Sequence, residues 1–161
     1  MTRQNPPRDE RSLIRRFADL DRRLHALETG PRIGVWSDLT PYLVAGYSAA
    51  ATGAYGAGYL PQFRFRSRTE IELRGTIQAG TGAGGAGANG FDNADAFLNL
   101  PAGTWPLQTV HATVVGATGG GTASAGVFRV IVSNAGAITY HNNVGSAPGW
   151  IALDGVRYSL T

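Results

Sequence analysis

The spacing of apolar residues changes once along this chain, and that change limits what each part can fold into. Large apolar side chains first recur at alternating intervals of four and three, at Leu13, Phe17, Leu20, Leu24 and Leu27. This is the a/d stripe of a coiled-coil helix. Thr29, Gly30 and Pro31 end it, because glycine suits a helix C-terminus and proline cannot continue one. Beyond Pro31 the interval falls to two, as in Phe63-Arg64-Phe65-Arg66 and Ile71-Glu72-Leu73-Arg74, the pattern of strands with one wet face. The chain therefore divides into an extended, proline-containing arm over 1–12, a short coiled coil over 13–30 and a β head over 31–161. Ser12 and Asp9 are both suitable caps for the helix.

Within the helix, Phe17 and Leu24 take position a, and Leu13, Leu20 and Leu27 take position d. Arg16 and Arg23 then fall at g, with Asp21 and Glu28 at e. Each Arg precedes its acid by five residues, the relation that bridges parallel, in-register helices. Arg23-Leu24-His25-Ala26-Leu27-Glu28 also resembles the short Arg-to-Glu signature of trimeric coiled coils, so a homotrimer is expected. Two heptads span only about 22 Å and do not sustain a helix alone. The helix needs assembly.

In the head, Phe63, Phe65, Ile71, Leu73 and Ile77 are expected to point inward. Further strands are predicted over 96–100, 109–115, 127–133, 137–141, 150–153 and 156–160. Asn134-Ala135-Gly136 and Asp154-Gly155 are predicted hairpin turns. Twenty-three of the 161 residues are glycine, about twice the usual share, without the period of three that collagen requires. They punctuate strands, and the segments 46–60, 79–90 and 116–126 have too few large side chains to assign. Many short antiparallel strands joined by such turns predict an all-β head, a β-sandwich or jelly roll. Trp36, Trp105 and Trp150 are expected in core or inter-subunit packing.

The chemistry expected of the chain is sparse. It has no cysteine, hence no disulfide, thiol nucleophile or Cys-based metal site. His25, His111 and His141 lack metal-ligand spacing, and no cofactor motif is present. A hydrolytic set drawn from Ser133, His141, Asp92, Asp95 and Asp154 would rest on turn residues with no sign of held geometry. The formal charge of +3 is spread along both parts, so no nucleic-acid surface is expected. No apolar run approaches 18 residues, and membrane insertion is not expected.

Four fragments in order carry a family resemblance: Thr40-Pro41-Tyr42; Pro61-Gln62-Phe63-Arg64 leading to Ile71-Glu72-Leu73-Arg74-Gly75; Leu100-Pro101-Ala102-Gly103-Thr104-Trp105-Pro106; and Trp150-Ile151-Ala152-Leu153-Asp154-Gly155-Val156-Arg157-Tyr158. Together they resemble the C-terminal domains of tailed-bacteriophage minor tail and tail-fibre proteins, most closely those of phages infecting actinobacteria. The resemblance implies a non-enzymatic protein on the virion, at the tail or capsid surface. It further implies a trimeric head for attachment to host surface glycans, with Tyr47, Tyr55, Tyr59, Tyr140, His141 and Asn142 as receptor-contact candidates. Residues 1–12 would dock on another virion protein. The alternative is a capsid-decorating or head-fibre protein held by that arm, and a glycan-degrading depolymerase is a further one.

Overall fold

The computed structural model describes residues 8–30, 32–49, 60–80, 90–117, 125–141 and 147–161. The chain divides into two compact units, Met1–Arg32 and Ile33–Thr161.

Among the described residues of the first unit there is one helix, α1 (Arg8–Thr29). Residues 8–12, expected to be extended, are helical, so the helix starts a turn earlier than Ser12. In the sequence Pro6 and Pro7 immediately precede its first residue. Its 22 residues span about 33 Å. Residues 1–7 of the expected arm lie outside the described residues.

Among the described residues the second unit is all-β apart from a 3-10 turn at Thr40–Tyr42. Its strands are β1 (Ser37–Asp38), β2 (Tyr47–Ala49), β3 (Gln62–Phe65), β4 (Glu70–Arg74), β5 (Thr76–Ala79), β6 (Ala96–Asn99), β7 (Val110–Ala117), β8 (Ala125–Val132), β9 (Ala137–His141), β10 (Trp150–Ala152) and β11 (Arg157–Ser159). They form a four-stranded sheet, β1-β3-β4-β11, and a seven-stranded sheet, β2-β5-β10-β7-β8-β9-β6. All strand pairs are antiparallel. The larger sheet curls until its ends meet: Leu43, just ahead of β2, bridges Leu98 of β6, and the Val44 amide donates to the Phe97 carbonyl at 3.1 Å. The seven strands thus form a nearly closed barrel, which leaves little edge for pairing with other chains.

The sheets share two strand paths. β4 passes into β5 through Gly75 alone, and β10 passes into β11 through the turn at Leu153–Val156. The two paths run side by side across the corner, with the Leu153 amide donating to the Gly75 carbonyl at 2.8 Å and the Leu73 amide to the Val156 carbonyl at 2.9 Å. The Asp154-Gly155 turn is present, with the Val156 amide donating to the Leu153 carbonyl at 3.1 Å, but it does not make the expected hairpin. β10 pairs with β5 and β7, whereas β11 pairs with β4. Asn134-Ala135-Gly136 does turn a hairpin, joining β8 to β9 with Gly136 at φ +87°.

Period-two alternation places Ile71, Leu73, Ile77, Val114, Val130, Val132, Ile138 and Ile151 in the core. Phe63 and Phe65 are half-buried against it. A bulge in β6 lets the consecutive residues Phe97 and Leu98 both face inward. None of the three tryptophans lies in the core, which is built instead from Phe91, Phe97, Tyr140 and branched aliphatics. Trp36 and Trp150 are half-buried. Trp105 is 42% exposed and is held by its Nε1–H, which donates to the Leu100 carbonyl at 2.8 Å.

Gly75 has φ +98°, and a Cβ there would overlap the Leu60 backbone carbonyl. We expect Gly75→Ala to destabilise the head by about 2 kcal/mol or more, combining left-handed strain with a backbone clash. Chemical denaturation of the full chain checks this. Gly155→Ala, at φ +83° with open space around the added methyl, is expected to cost about 1 kcal/mol.

Candidate functional site

The outer face of the four-stranded sheet carries an ordered polar ladder. Alternation turns Gln62 and Arg64 of β3, Glu70, Glu72 and Arg74 of β4, and Arg157 of β11 to the same side. Register places Gln62 opposite Arg74, and Glu72 between Arg64 and Arg157. Glu72 is only 6% exposed. Arg64 Nε donates to its Oε2 at 2.7 Å, and Arg157 Nε donates to its Oε1 at 2.9 Å. The terminal nitrogen NH2 of each arginine makes a second contact, Arg157 NH2 at 2.7 Å, so each carboxylate oxygen is clamped by one guanidinium.

Arg74 donates to Gln62 Oε1 from Nε at 2.9 Å and from NH2 at 2.6 Å. The guanidiniums of Arg74 and Arg64 lie over the Trp36 ring at 3.9 and 4.5 Å from its centroid, within cation–π range. Trp36 is thereby explained: its ring lies against the arginine ladder, outside the core. Sequence pattern showed which side these residues face, but the carboxylate clamp depends on β11 arriving beside β4, 85 residues away in the chain.

This ladder is a built electrostatic structure with no reacting centre. Burial tends to raise the Glu72 carboxyl, but the hydrogen bonds from Arg64 and Arg157 outweigh it and hold the group below the usual glutamate value. A shallow cleft of about 370 Å3 adjoins it, lined by Ser67, Thr69, Glu70, Arg157, Tyr158 and Ser159. Tyr158 is buried at its floor and donates its hydroxyl to the Thr104 carbonyl at 2.8 Å. That bond ties β11 to the Pro101–Pro106 turn. The turn itself closes through the Thr104 amide and hydroxyl, both donating to the Pro101 carbonyl, at 3.2 and 2.7 Å. The motif residues of this stretch act as scaffold.

The receptor-contact candidates separate. Tyr140 is 1% exposed, with its ring near Phe91 and Phe128 at centroid distances of 5.9 Å each. Tyr47 is half-buried, 5.0 Å from Phe91 and 6.0 Å from Phe97. Both rings belong to the interior because β2 and β9 turn them inward. His141 is half-buried at the end of β9, its Nε2 3.0 Å from Thr139 Oγ1. Burial first, then the charges of Arg129 and His111, lower its pKa. Tyr55, Tyr59 and Asn142 lie outside the described residues.

Hydrolytic geometry is not assembled by the residues nominated for it. The Ser133 hydroxyl accepts the Ala137 amide at 3.0 Å within the hairpin turn. His141 sits opposite Arg129, four residues farther along the ladder, roughly 13 Å away. Asp154 is an exposed turn residue, and the Asp95 amide donates to the Asp92 carbonyl at 3.3 Å in another turn. Among the described residues no group of three or more His, Asp or Glu side chains is placed to hold a metal ion. No described helix is long and apolar enough to cross a membrane.

The helix carries the other candidate surface. In the single chain Leu13 is 52% exposed, Phe17 66%, Leu20 57% and Leu24 55%. An apolar stripe standing in water over three turns is unfavourable without a partner. Arg16, Asp21 and Arg23 are exposed beside it. Among the described side chains of this helix, Arg22 pairs with Asp19 at 3.7 Å. The side chains of Leu27 and Glu28 lie outside the described residues.

The receptor binding protein (gp15) of Listeria phage PSA has a similar fold. Its crystal structure matches with a TM-score of 0.54 at 15% sequence identity, over 99% of this chain and 82% of that one. The likeness includes the helix as well as the head. No protein-family model matches the chain, and no curated protein sequence is similar to it.

Replacing Glu72 by Gln removes the charge that Arg64 and Arg157 share, and is expected to destabilise the head by about 2 kcal/mol, less than for a fully buried pair because both arginines reach solvent. Because the folded carboxyl lies below its unfolded value, its contribution is present above the ordinary glutamate range. It is lost as pH falls through the folded value. Melting curves over descending pH should therefore show a shallower acid loss in Glu72→Gln than in the parent.

Proposed function

We propose that the chain is a non-enzymatic structural protein of a bacteriophage virion, a tail-fibre or tail-tip component that displays a trimeric β head for attachment to the host surface. The observation carrying this reading is the fold likeness to a phage receptor binding protein, which runs through 99% of the chain, helix and head together. The exposed a/d stripe supports the trimer: Leu13, Phe17, Leu20 and Leu24 need neighbours, and Arg16, Asp21 and Arg23 are placed to bridge parallel helices, with Leu27 and Glu28 completing the heptads. Residues 1–7, with the first turn of α1, are the segment assigned to docking on another virion protein.

In this reading the head binds surface glycans, and assembly multiplies a weak single-site affinity. Tyr55, Tyr59, Asn142 and His141 stay as contact candidates, while Tyr47 and Tyr140 leave the set because their rings pack inside the head. Hydroxyls of the cleft beside Arg157 join it: half-buried Ser67 and exposed Thr69 and Ser159 are the polar groups a saccharide would meet there.

Two measurements test the proposal. Light scattering of the full chain at low micromolar concentration should give a trimer, and Leu20→Asp combined with Leu24→Asp should give a monomer with an unchanged head. A parent protein that is monomeric overturns the assembly. The fluorescently labelled trimer should also decorate host cells, with the monomeric variant losing at least about tenfold in binding; equal binding by both removes the role given to trimeric display.

A further inference from the structure

The outer wall of the barrel carries a group of cationic and hydrogen-bonding side chains on β7, β8 and β9. In these strands Val114, Val130, Val132, Ile138 and Tyr140 fill the core, so alternation turns His111, Thr113, Arg129, Ile131, Thr139 and His141 to the outside. Register lines them up in two rows across the sheet. Thr113 stands opposite Arg129, and Arg129 opposite His141; His111 stands opposite Ile131, and Ile131 opposite Thr139. Neighbours within a row are about 5 Å apart and the rows about 7 Å, which puts Arg129 between two imidazoles, His141 beside it and His111 on the diagonal. His111, Thr113 and Arg129 are exposed, while Ile131, Thr139 and His141 are half-buried. Thr139 Oγ1 lies 3.0 Å from His141 Nε2. That contact fixes the imidazole along its own strand, with Nδ1 as the second polar atom of the ring.

The charge of this group is not neutralised. The acids of the head are Asp38, Glu70, Glu72, Asp92, Asp95 and Asp154. Glu70 and Glu72 pair with Arg64, Arg66 and Arg157, Asp38 accepts from Thr40, and Asp92 and Asp95 direct their charge at Tyr47. Asp154 is an exposed turn residue beyond the last β10–β7 pair, Ala152 with Val115. Among the described residues no carboxylate forms an ion pair with Arg129, and the charges acting on His141 are those of Arg129 and His111. Where this fold uses arginine to hold itself together, at Arg64 and Arg157, each guanidinium fork closes on a carboxylate oxygen of Glu72. Arg129 presents the same planar fork to solvent.

We propose that this patch, Arg129 with His111, His141 and Thr113, binds an oxyanion carried by a saccharide of the host surface, a phosphate or a carboxylate. The guanidinium matches two oxygens of either group in one plane. The imidazoles and the Thr113 hydroxyl beside it supply further hydrogen bonds, and Ile131 between them gives ring carbons an apolar contact. The proposal rests on the receptor-binding reading and narrows its ligand from glycans in general to acidic ones. A single site of this kind, open to solvent, binds weakly; display of several copies raises the affinity.

Proton NMR of the imidazoles in the full chain tests this, because the three histidines comprise two in the patch and His25 on the helix. Glucose-6-phosphate and glucuronate are the probes, with glucose as the neutral control, all at fixed pH and ionic strength. One or both acidic sugars should shift His111 and His141 saturably while His25 stays in place, and glucose should move none of them. The sugar that saturates at lower concentration identifies phosphate or carboxylate as the group preferred. Arg129→Gln should weaken the binding by about tenfold or more, and Arg15→Gln, which removes the same charge from the helix, should leave it unchanged. Arg129 is exposed, so the variant should melt like the parent. Equal movement of all three imidazoles, no movement with either acid, or shifts that survive Arg129→Gln overturns the proposal. Host cells separate it from the reading beneath it. If the parent and Arg129→Gln decorate cells equally, the receptor reading stands and this site falls; if the parent decorates no cells yet shows saturable shifts that depend on Arg129, the anion site stands and the receptor reading falls.

Discussion

The head depends on one corner. Two antiparallel strand paths, β4 into β5 and β10 into β11, cross together from the four-stranded sheet to the barrel, and the backbone can make that crossing only where no side chain fills the angle. Gly75 supplies the absent side chain and the positive φ, with the Leu60 carbonyl occupying the space a Cβ would need. Opposite it, the Leu153–Val156 turn adds the length required by the outer path. Hydrogen bonds from Leu153 to Gly75 and from Leu73 to Val156 bind the paths across the bend. Ile71, Leu73, Ile77 and Ile151 can then share one core although they lie on different sheets.

The polar ladder follows from the same crossing. β11 reaches β4 only because β10 has turned the corner with β5, and this brings Arg157 to the second oxygen of Glu72. The carboxylate is buried and fully engaged by guanidiniums, and the Trp36 ring lies against two of the arginines. Such an arrangement holds a sheet face rigid.

The apolar stripe on α1 belongs to a different unit of the chain from the head and is built on a different periodicity. Leu13, Phe17, Leu20 and Leu24 are each more than half exposed in the single copy, because side chains spaced at four and three residues gather on one side of a helix.

Much of this was legible in the residue order, because it depends on spacing alone. The break at Gly30-Pro31, the helix stripe, the alternation through Ile71, Leu73 and Ile77, the strands from β6 to β11 to within a residue or two, and the Asn134–Gly136 hairpin all follow from local rules. The helix begins at Arg8, beside Asp9, the earlier of the two residues suited to cap it. Other features needed the tertiary structure, since they arise between residues far apart in the chain. Asp154-Gly155 has the composition of a hairpin turn, yet its flanking strands pair elsewhere. Tyr140 lies in a predicted strand and Tyr47 in a segment that spacing leaves unassigned, and β9 and β2 turn both rings toward the core. Barrel closure through Leu43 and Leu98 and the Arg64–Glu72–Arg157 clamp likewise depend on which strands become neighbours. Period, turns and the alternation along each strand are properties of a few consecutive residues and could be read from residue order alone. What each face meets came with the fold, because pairing is chosen by the packing of the whole core.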